Sequence, residues 1–120
     1  MPYRVFAWIA GVSVSLVATA AVADYSRITD KRTFAEMVAG RQLTRLGIEL
    51  TVTPGGDIRG SAFGKQVSGA WEWQNGYFCR DLVWGERDLG FNCQEVALKG
   101  RALKFTSDRG AGPSASLTLR

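Results

Sequence analysis

Three hydrophobic patterns follow one another along the chain. Val5 to Ala20 is uncharged and mostly apolar, with no alternation at all. From Thr29 to Gly40 the apolar residues recur at helical spacing, with Phe34, Met37 and Val38 at i, i+3 and i+4 on one face. From Arg41 onward the period changes to two and stays there. Ile48, Leu50 and Val52 alternate with Glu49, Thr51 and Thr53, and Val67, Gly69, Trp71 and Trp73 alternate with Ser68, Ala70 and Glu72. The chain therefore reads as an apolar leader, a short helix over about 31–39 and a long run of strands between about 42 and 119.

The punctuation supports the same division. Asp30 or Thr33 suits the helix N-cap, Thr33 with Glu36 three residues on, and Gly40 suits the left-handed stop. Asp24–Ile28, ahead of the helix, reads as a lead-in or an edge strand. Pro54-Gly55-Gly56-Asp57, Gly64-Lys65, Asn75-Gly76, Gly85-Glu86-Arg87, Lys99-Gly100 and the stretch 108–113 all have turn composition. Asn75-Gly76 is the sharpest of these, because both residues tolerate the positive φ of a type I′ hairpin turn. About seven strands at regular spacing predict a mainly β fold. It is an antiparallel up-and-down meander curled into a small barrel or half-barrel, with one N-terminal helix.

The turns also predict register. A two-residue turn at Asn75-Gly76 sets Trp73 opposite Phe78 and Trp71 opposite Arg80. A three-residue loop at Gly85-Glu86-Arg87 sets Trp84 opposite Asp88 and Cys79 opposite Cys93. One face of the three strands then carries Trp71, Trp73, Phe78, Arg80, Leu82, Trp84, Asn92, Gln94, Val96 and Leu98. The other carries Glu72, Tyr77, Cys79, Asp81, Val83, Leu89, Phe91, Cys93 and Glu95. The tryptophan face is the expected core, since the opposite face collects three carboxylates.

The leader changes the picture of where such a fold works. Arg4 precedes the apolar run, and Ala21-Val22-Ala23 offers small residues at the cleavage positions before Asp24. Residues 1–23 are expected to be a signal peptide cut between Ala23 and Asp24, leaving one β-rich domain over 24–120. The alternative is a retained anchor, because the uncharged run is just long enough to span a bilayer. The expected location is periplasmic or secreted, with no membrane association of the mature form. In that setting the chain's two cysteines favour a Cys79–Cys93 disulfide. Closing a loop of about 15 residues in this way contributes about 3 kcal/mol in the chain-entropy picture.

Charge and composition exclude more than they point to. The formal charge is +4, and +3 once Arg4 is removed, with both signs interspersed. Nucleic-acid binding would call for a basic stripe with stacking aromatics, whereas the basic residues here are scattered and the aromatics fall in a strand pattern that a core explains. The chain has no histidine, which removes His-assisted nucleophiles, imidazole bases and His-bearing metal sites. No metal or cofactor is expected. Glu72, Asp81 and Glu95 share a face, and paired carboxylates can cleave glycosides, but solvated strand residues explain them as well. Gly110-Ala-Gly112-Pro-Ser-Ala115 matches a dinucleotide fingerprint only as a string, since a strand and not a helix follows it. The feature with functional content is Arg80 beside Trp71 and Trp73. A cation among aromatics can hold a small anionic ligand in a barrel mouth, or it can be structural, paired with a carboxylate or with backbone carbonyls.

Three segments carry a resemblance. They are Trp71-x-Trp73-x-Asn75-Gly76-Tyr77-Phe78-Cys79-Arg80, Asp88 through Val96, and Lys104 through Gly110 with Gly112. In them the chain resembles a family of short exported bacterial proteins whose members often carry the name dihydrodipicolinate reductase. That name implies NAD(P)H-dependent reduction, on an N-terminal nucleotide-binding βαβ domain with a His-rich catalytic motif. This chain has a leader where the fingerprint belongs and no histidine. What the resemblance implies is therefore small exported character. The expectation is a non-catalytic exported domain with a binding or envelope-interaction role, its partner a small anionic ligand or an envelope protein. The reductase is the alternative.

Overall fold

The structure is a computed structural model that describes residues 24–120; the expected signal segment lies outside the described residues. Nine antiparallel strands and one helix follow in the order β1 (Ser26–Ile28), α1 (Lys31–Val38), β2 (Leu43–Arg45), β3 (Ile48–Val52), β4 (Asp57–Ala62), β5 (Lys65–Gln74), β6 (Tyr77–Trp84), β7 (Arg87–Lys99), β8 (Ala102–Thr106) and β9 (Ser114–Leu119). Each strand from β2 to β7 pairs with its successor. β9 then pairs with both β2 and β8, and β8 closes on β7. The result is a closed eight-stranded barrel, β2 to β9, of a size whose interior is filled by side chains or holds one small ligand. Closure leaves no long sheet edge to template aggregation. β1 adds to the edge of β7 beyond the start of β6, with Ile28 opposite Val96.

The seven expected strands are present; the stretch Asp24–Ile28, read as a lead-in or an edge strand, is the three-residue strand β1, and a further three-residue strand, β2, joins them. The β5–β6 register is as read from the Asn75-Gly76 turn: Trp73 faces Phe78 and Trp71 faces Arg80. Asn75 and Gly76 have φ of 51° and 85°, the left-handed pair that a type I′ turn requires. Cys79 faces Cys93 and the two form a disulfide.

The path to that cysteine pairing differs from the expected one. Trp84 faces Arg87, not Asp88, so the β6–β7 connection is the two-residue turn Gly85-Glu86. Leu82 nevertheless faces Gly90, because Leu89 is an extra residue bulged out of β7. A two-residue turn plus one bulged residue restores the register of a three-residue loop.

Helix α1 starts where Asp30 accepts the Thr33 backbone N–H at 3.0 Å and the Thr33 hydroxyl at 2.8 Å. The backbone N–H bond, reinforced by the hydroxyl, holds the Asp30 carboxyl below its usual pKa. The helix stops before Gly40, which takes the left-handed φ of 69°. Its apolar stripe is turned into one end of the barrel. Phe34 is 0 % exposed and touches Trp71, Trp73 and Phe78 with ring centroids 5.1–5.2 Å apart, and Phe105 at 6.4 Å. Val38, Leu43, Val96 and Leu103 are buried around this cluster. α1 therefore plugs the barrel end that also carries the Asn75-Gly76 turn, and this end is packed solid.

Candidate functional site

The opposite end is built differently. Inward positions of the strands alternate, and near α1 they are filled by Phe34, Trp71, Phe78 and Phe105. Farther along, the inward residues of β4, β5 and β9 are small: Gly60, Gly69 and Ala115. The glycines let neighbouring strands approach closely: a Cβ on Gly60 would run into the Glu49 carbonyl, and one on Gly69 into the Asp81 carbonyl and the Leu82 side chain. Beyond the aromatic cluster a cavity of about 170 Å³ opens, with Ala115 of β9 in its lining. Its walls include Leu50, Leu82 and Leu117, and its floor is Phe78 and Phe105, the rings that meet Phe34 on their other side. These leucines face inward yet are only partly buried. A partly exposed inward residue in a closed barrel means that solvent reaches it through the mouth.

Two polar side chains reach this apolar space, Arg80 from β6 and Gln94 from β7. Arg80 Nη1 donates to the Gly90 carbonyl at 2.7 Å. That carbonyl is brought within reach by the β7 bulge, where Gly90 adopts φ 78° and its N–H is taken by Asp88 Oδ1 at 2.8 Å. The guanidinium carries five N–H donors, and among the described residues this is its one hydrogen bond. It forms no ion pair among the described residues either. Asp81 and Glu72 point outward from neighbouring positions and are exposed, and Glu95, also on the outer face, sits 3.7 Å from Arg27. Burial pulls the Arg80 pKa down from its ordinary value, and the nearby Asp81 charge opposes that. Arginine starts so high that the side chain stays a cation at neutral pH. The outcome is a half-buried positive charge in an apolar cavity with most of its donors unused.

The mouth is bordered by the β8–β9 loop. Asn92, opposite Arg80 on β7, donates from Nδ2 to Asp108 Oδ1 at 2.8 Å and accepts the Asp108 N–H at 2.9 Å. Gln94 Nε2 donates to Ser107 Oγ at 3.2 Å. These bonds hold a 3₁₀ turn at Asp108–Gly110 in which Asp108 and Arg109 both have φ near 55°, a left-handed backbone that non-glycine residues rarely adopt. The loop is thus pinned beside the cavity by the two polar neighbours of Arg80.

The tryptophans have other partners. Trp71 is buried against Phe34, and its indole N–H donates to the Thr53 carbonyl at 2.8 Å. Trp73 donates to the Thr29 carbonyl at 3.1 Å. The structure places Trp71 beside Arg80 in the ladder but assigns both indoles to the helix-plugged core, while Arg80 lines the cavity. Gln94 and the Gly90 carbonyl join Arg80 there instead. A glycine inside a strand pattern signals a bulge, so Asp88-Leu89-Gly90 carried a sign of this second contact. Among the described residues no group of three or more His, Cys, Asp or Glu side chains is arranged to hold a metal ion, and no helix is long and apolar enough to cross a membrane.

The chain matches no protein-family model, no curated protein and no solved structure.

Proposed function

We propose that this protein is an exported, disulfide-stapled β-barrel that binds a small anion in the open end of its barrel, with Arg80 as the charge that receives it. The observation that carries the reading is the state of Arg80. A half-buried guanidinium without an ion-pair partner among the described residues is costly, and a barrel needing only stability gains more from an apolar side chain there. Facing a solvent-reached cavity with unused donors, the same residue is suited to an anion. Export rests on the reading of residues 1–23 as a cleaved signal, and the Cys79–Cys93 disulfide fits an oxidising compartment such as the periplasm.

The test is thermal unfolding of the protein purified as exported, titrated with small anions at constant ionic strength. A ligand that binds only the folded state raises Tm with concentration. The expected result is a saturable rise with at least one anion in the wild type and none in Arg80→Met. A flat response across acetate, benzoate and phosphate, or an equal response in Arg80→Met, refutes the reading.

A further inference from the structure

We propose that the ligand at Arg80 is a monocarboxylate with a compact apolar body of about six carbons, such as benzoate or hexanoate. This inference rests on the anion-binding reading above and narrows it by size, shape and charge.

Size comes from the cavity. Its volume of about 170 Å³ is close to the roughly 150 Å³ of an apolar protein cavity that accepts benzene. One aromatic ring or a short aliphatic chain fills that space, and a nucleotide or sugar does not fit. Shape and polarity come from the lining. The walls are leucine, the floor is Phe78 and Phe105, and polar groups enter only on the side of Arg80 and Gln94. A ligand satisfying both parts has one charged end and one apolar end. A fully hydrated anion such as phosphate would leave the leucine walls wet and would be poorly desolvated.

Charge comes from counting. One guanidinium is present and it is neutralised by one negative charge. Its planar fork matches the two oxygens of a carboxylate through paired N–H···O bonds, and the bond to the Gly90 carbonyl, made by Nη1, orients that fork while leaving donors on the other nitrogens. A dianion would bring a second charge with no cation in the cavity lining to meet it.

A ligand of this size gains limited contact area, so a Kd of about 10 μM to 1 mM is expected. The experiment is isothermal titration of the exported protein with benzoate, hexanoate, benzyl alcohol, acetate and inorganic phosphate, repeated on Arg80→Met and Ala115→Phe. Near-ultraviolet circular dichroism verifies that each variant is folded. Ala115 lies at the mouth, so a phenyl group there occupies the cavity while sparing the guanidinium. Benzoate and hexanoate are expected to bind saturably, with benzyl alcohol weaker by about 10- to 100-fold, the scale of a lost charge-assisted hydrogen bond, and acetate weaker by a similar factor because it lacks the apolar body that fills the cavity. Arg80→Met is expected to lose the preference for benzoate over benzyl alcohol, and Ala115→Phe to lose binding of both. Acetate or phosphate binding as tightly as benzoate in the wild type would overturn the apolar-body inference while leaving the anion reading intact. Absence of binding by any anion, or unchanged benzoate binding in Arg80→Met, would overturn both.

Discussion

Replacing Phe34 by alanine tests whether α1 is the plug on which the barrel depends. Phe34 is 0 % exposed and meets four aromatic rings, three of them at 5.1–5.2 Å. Val38 and Met37 pack beside that centre, but Phe34 is the one ring α1 inserts into it, so truncation leaves a void that the rigid barrel walls cannot close. Buried Phe→Ala changes cost about 3–5 kcal/mol, and the edge-on and tilted ring pairs here favour the upper half of that range. A domain of this length has a total stability of about 5–15 kcal/mol, so the loss is a large share of it. The assay is equilibrium urea unfolding of the oxidised protein followed by tryptophan fluorescence, since Trp71 and Trp73 report on the ring cluster directly. With an m-value of about 1–2 kcal/mol/M, the midpoint is expected to fall by about 2–5 M. Phe34→Leu, which keeps an apolar side chain in place, is expected to lose less than half as much. A loss below about 1 kcal/mol for Phe34→Ala would refute the plug, because a fully buried ring in contact with four others does not come out that cheaply.

Other outcomes follow from particular residues. Cys79→Ala with Cys93→Ala removes a cross-link between residues 14 apart and is expected to lower stability by about 3 kcal/mol in urea unfolding; no change would show that the sheet alone holds this register. Phe63 sits at φ 51° in the two-residue turn Phe63-Gly64 and is 67 % exposed, so Phe63→Asn is expected to gain about 1 kcal/mol by relieving a left-handed phenylalanine. That corresponds to a Tm rise of about 4–8 °C, and a fall in Tm would contradict it. The Asp30 carboxyl is held below its usual 3.8 by the Thr33 N–H; its stabilising contribution is therefore present above the unfolded-state value and lost as pH falls through the folded one. Wild type is expected to melt above Asp30→Ala near pH 7, with the gap closing as pH falls below the usual 3.8 and through the lower folded-state value. A gap that persists in acid would show that the cap bond is not what the carboxylate contributes.

The legible part of the fold lies where alternation runs for five residues or more. β3, β5, β6 and β7 each declare an inward face, and the Asn75-Gly76 turn sets Trp71 against Arg80 because its φ requirements leave few alternatives. β1 and β2 are three residues long, and three residues show no alternation to read; Asp24–Ile28 could be read only as a lead-in or an edge strand, and β2 carries one buried side chain, Leu43. Closure was beyond reach for a related reason. It depends on Leu43 meeting Leu119, and nothing local in either strand names the other. At β6–β7 the expected cysteine pairing held although the loop was shorter than expected, because the bulge at Leu89 compensated for the missing residue.

For the site, the inward placement of Arg80 followed from register, and the separation of Arg80 from the tryptophans did not. That separation is set by Phe34, which comes from a different element and fills the space around Trp71 and Trp73. The cavity is assembled from strands far apart in sequence, and only the closed barrel brings Leu50, Leu82 and Leu117 together with Arg80 around one space.

The most direct test of the central claim is the Nε–Hε resonance of Arg80 in a ¹⁵N NMR spectrum, assigned by its loss in Arg80→Met and followed through a benzoate titration. If the guanidinium receives the carboxylate, this resonance moves saturably and more than that of any exposed arginine, with the Gly90 and Gln94 amides shifting on the same binding curve. An Arg80 resonance that stays fixed while benzoate perturbs residues elsewhere would show that the open end of the barrel is not an anion site.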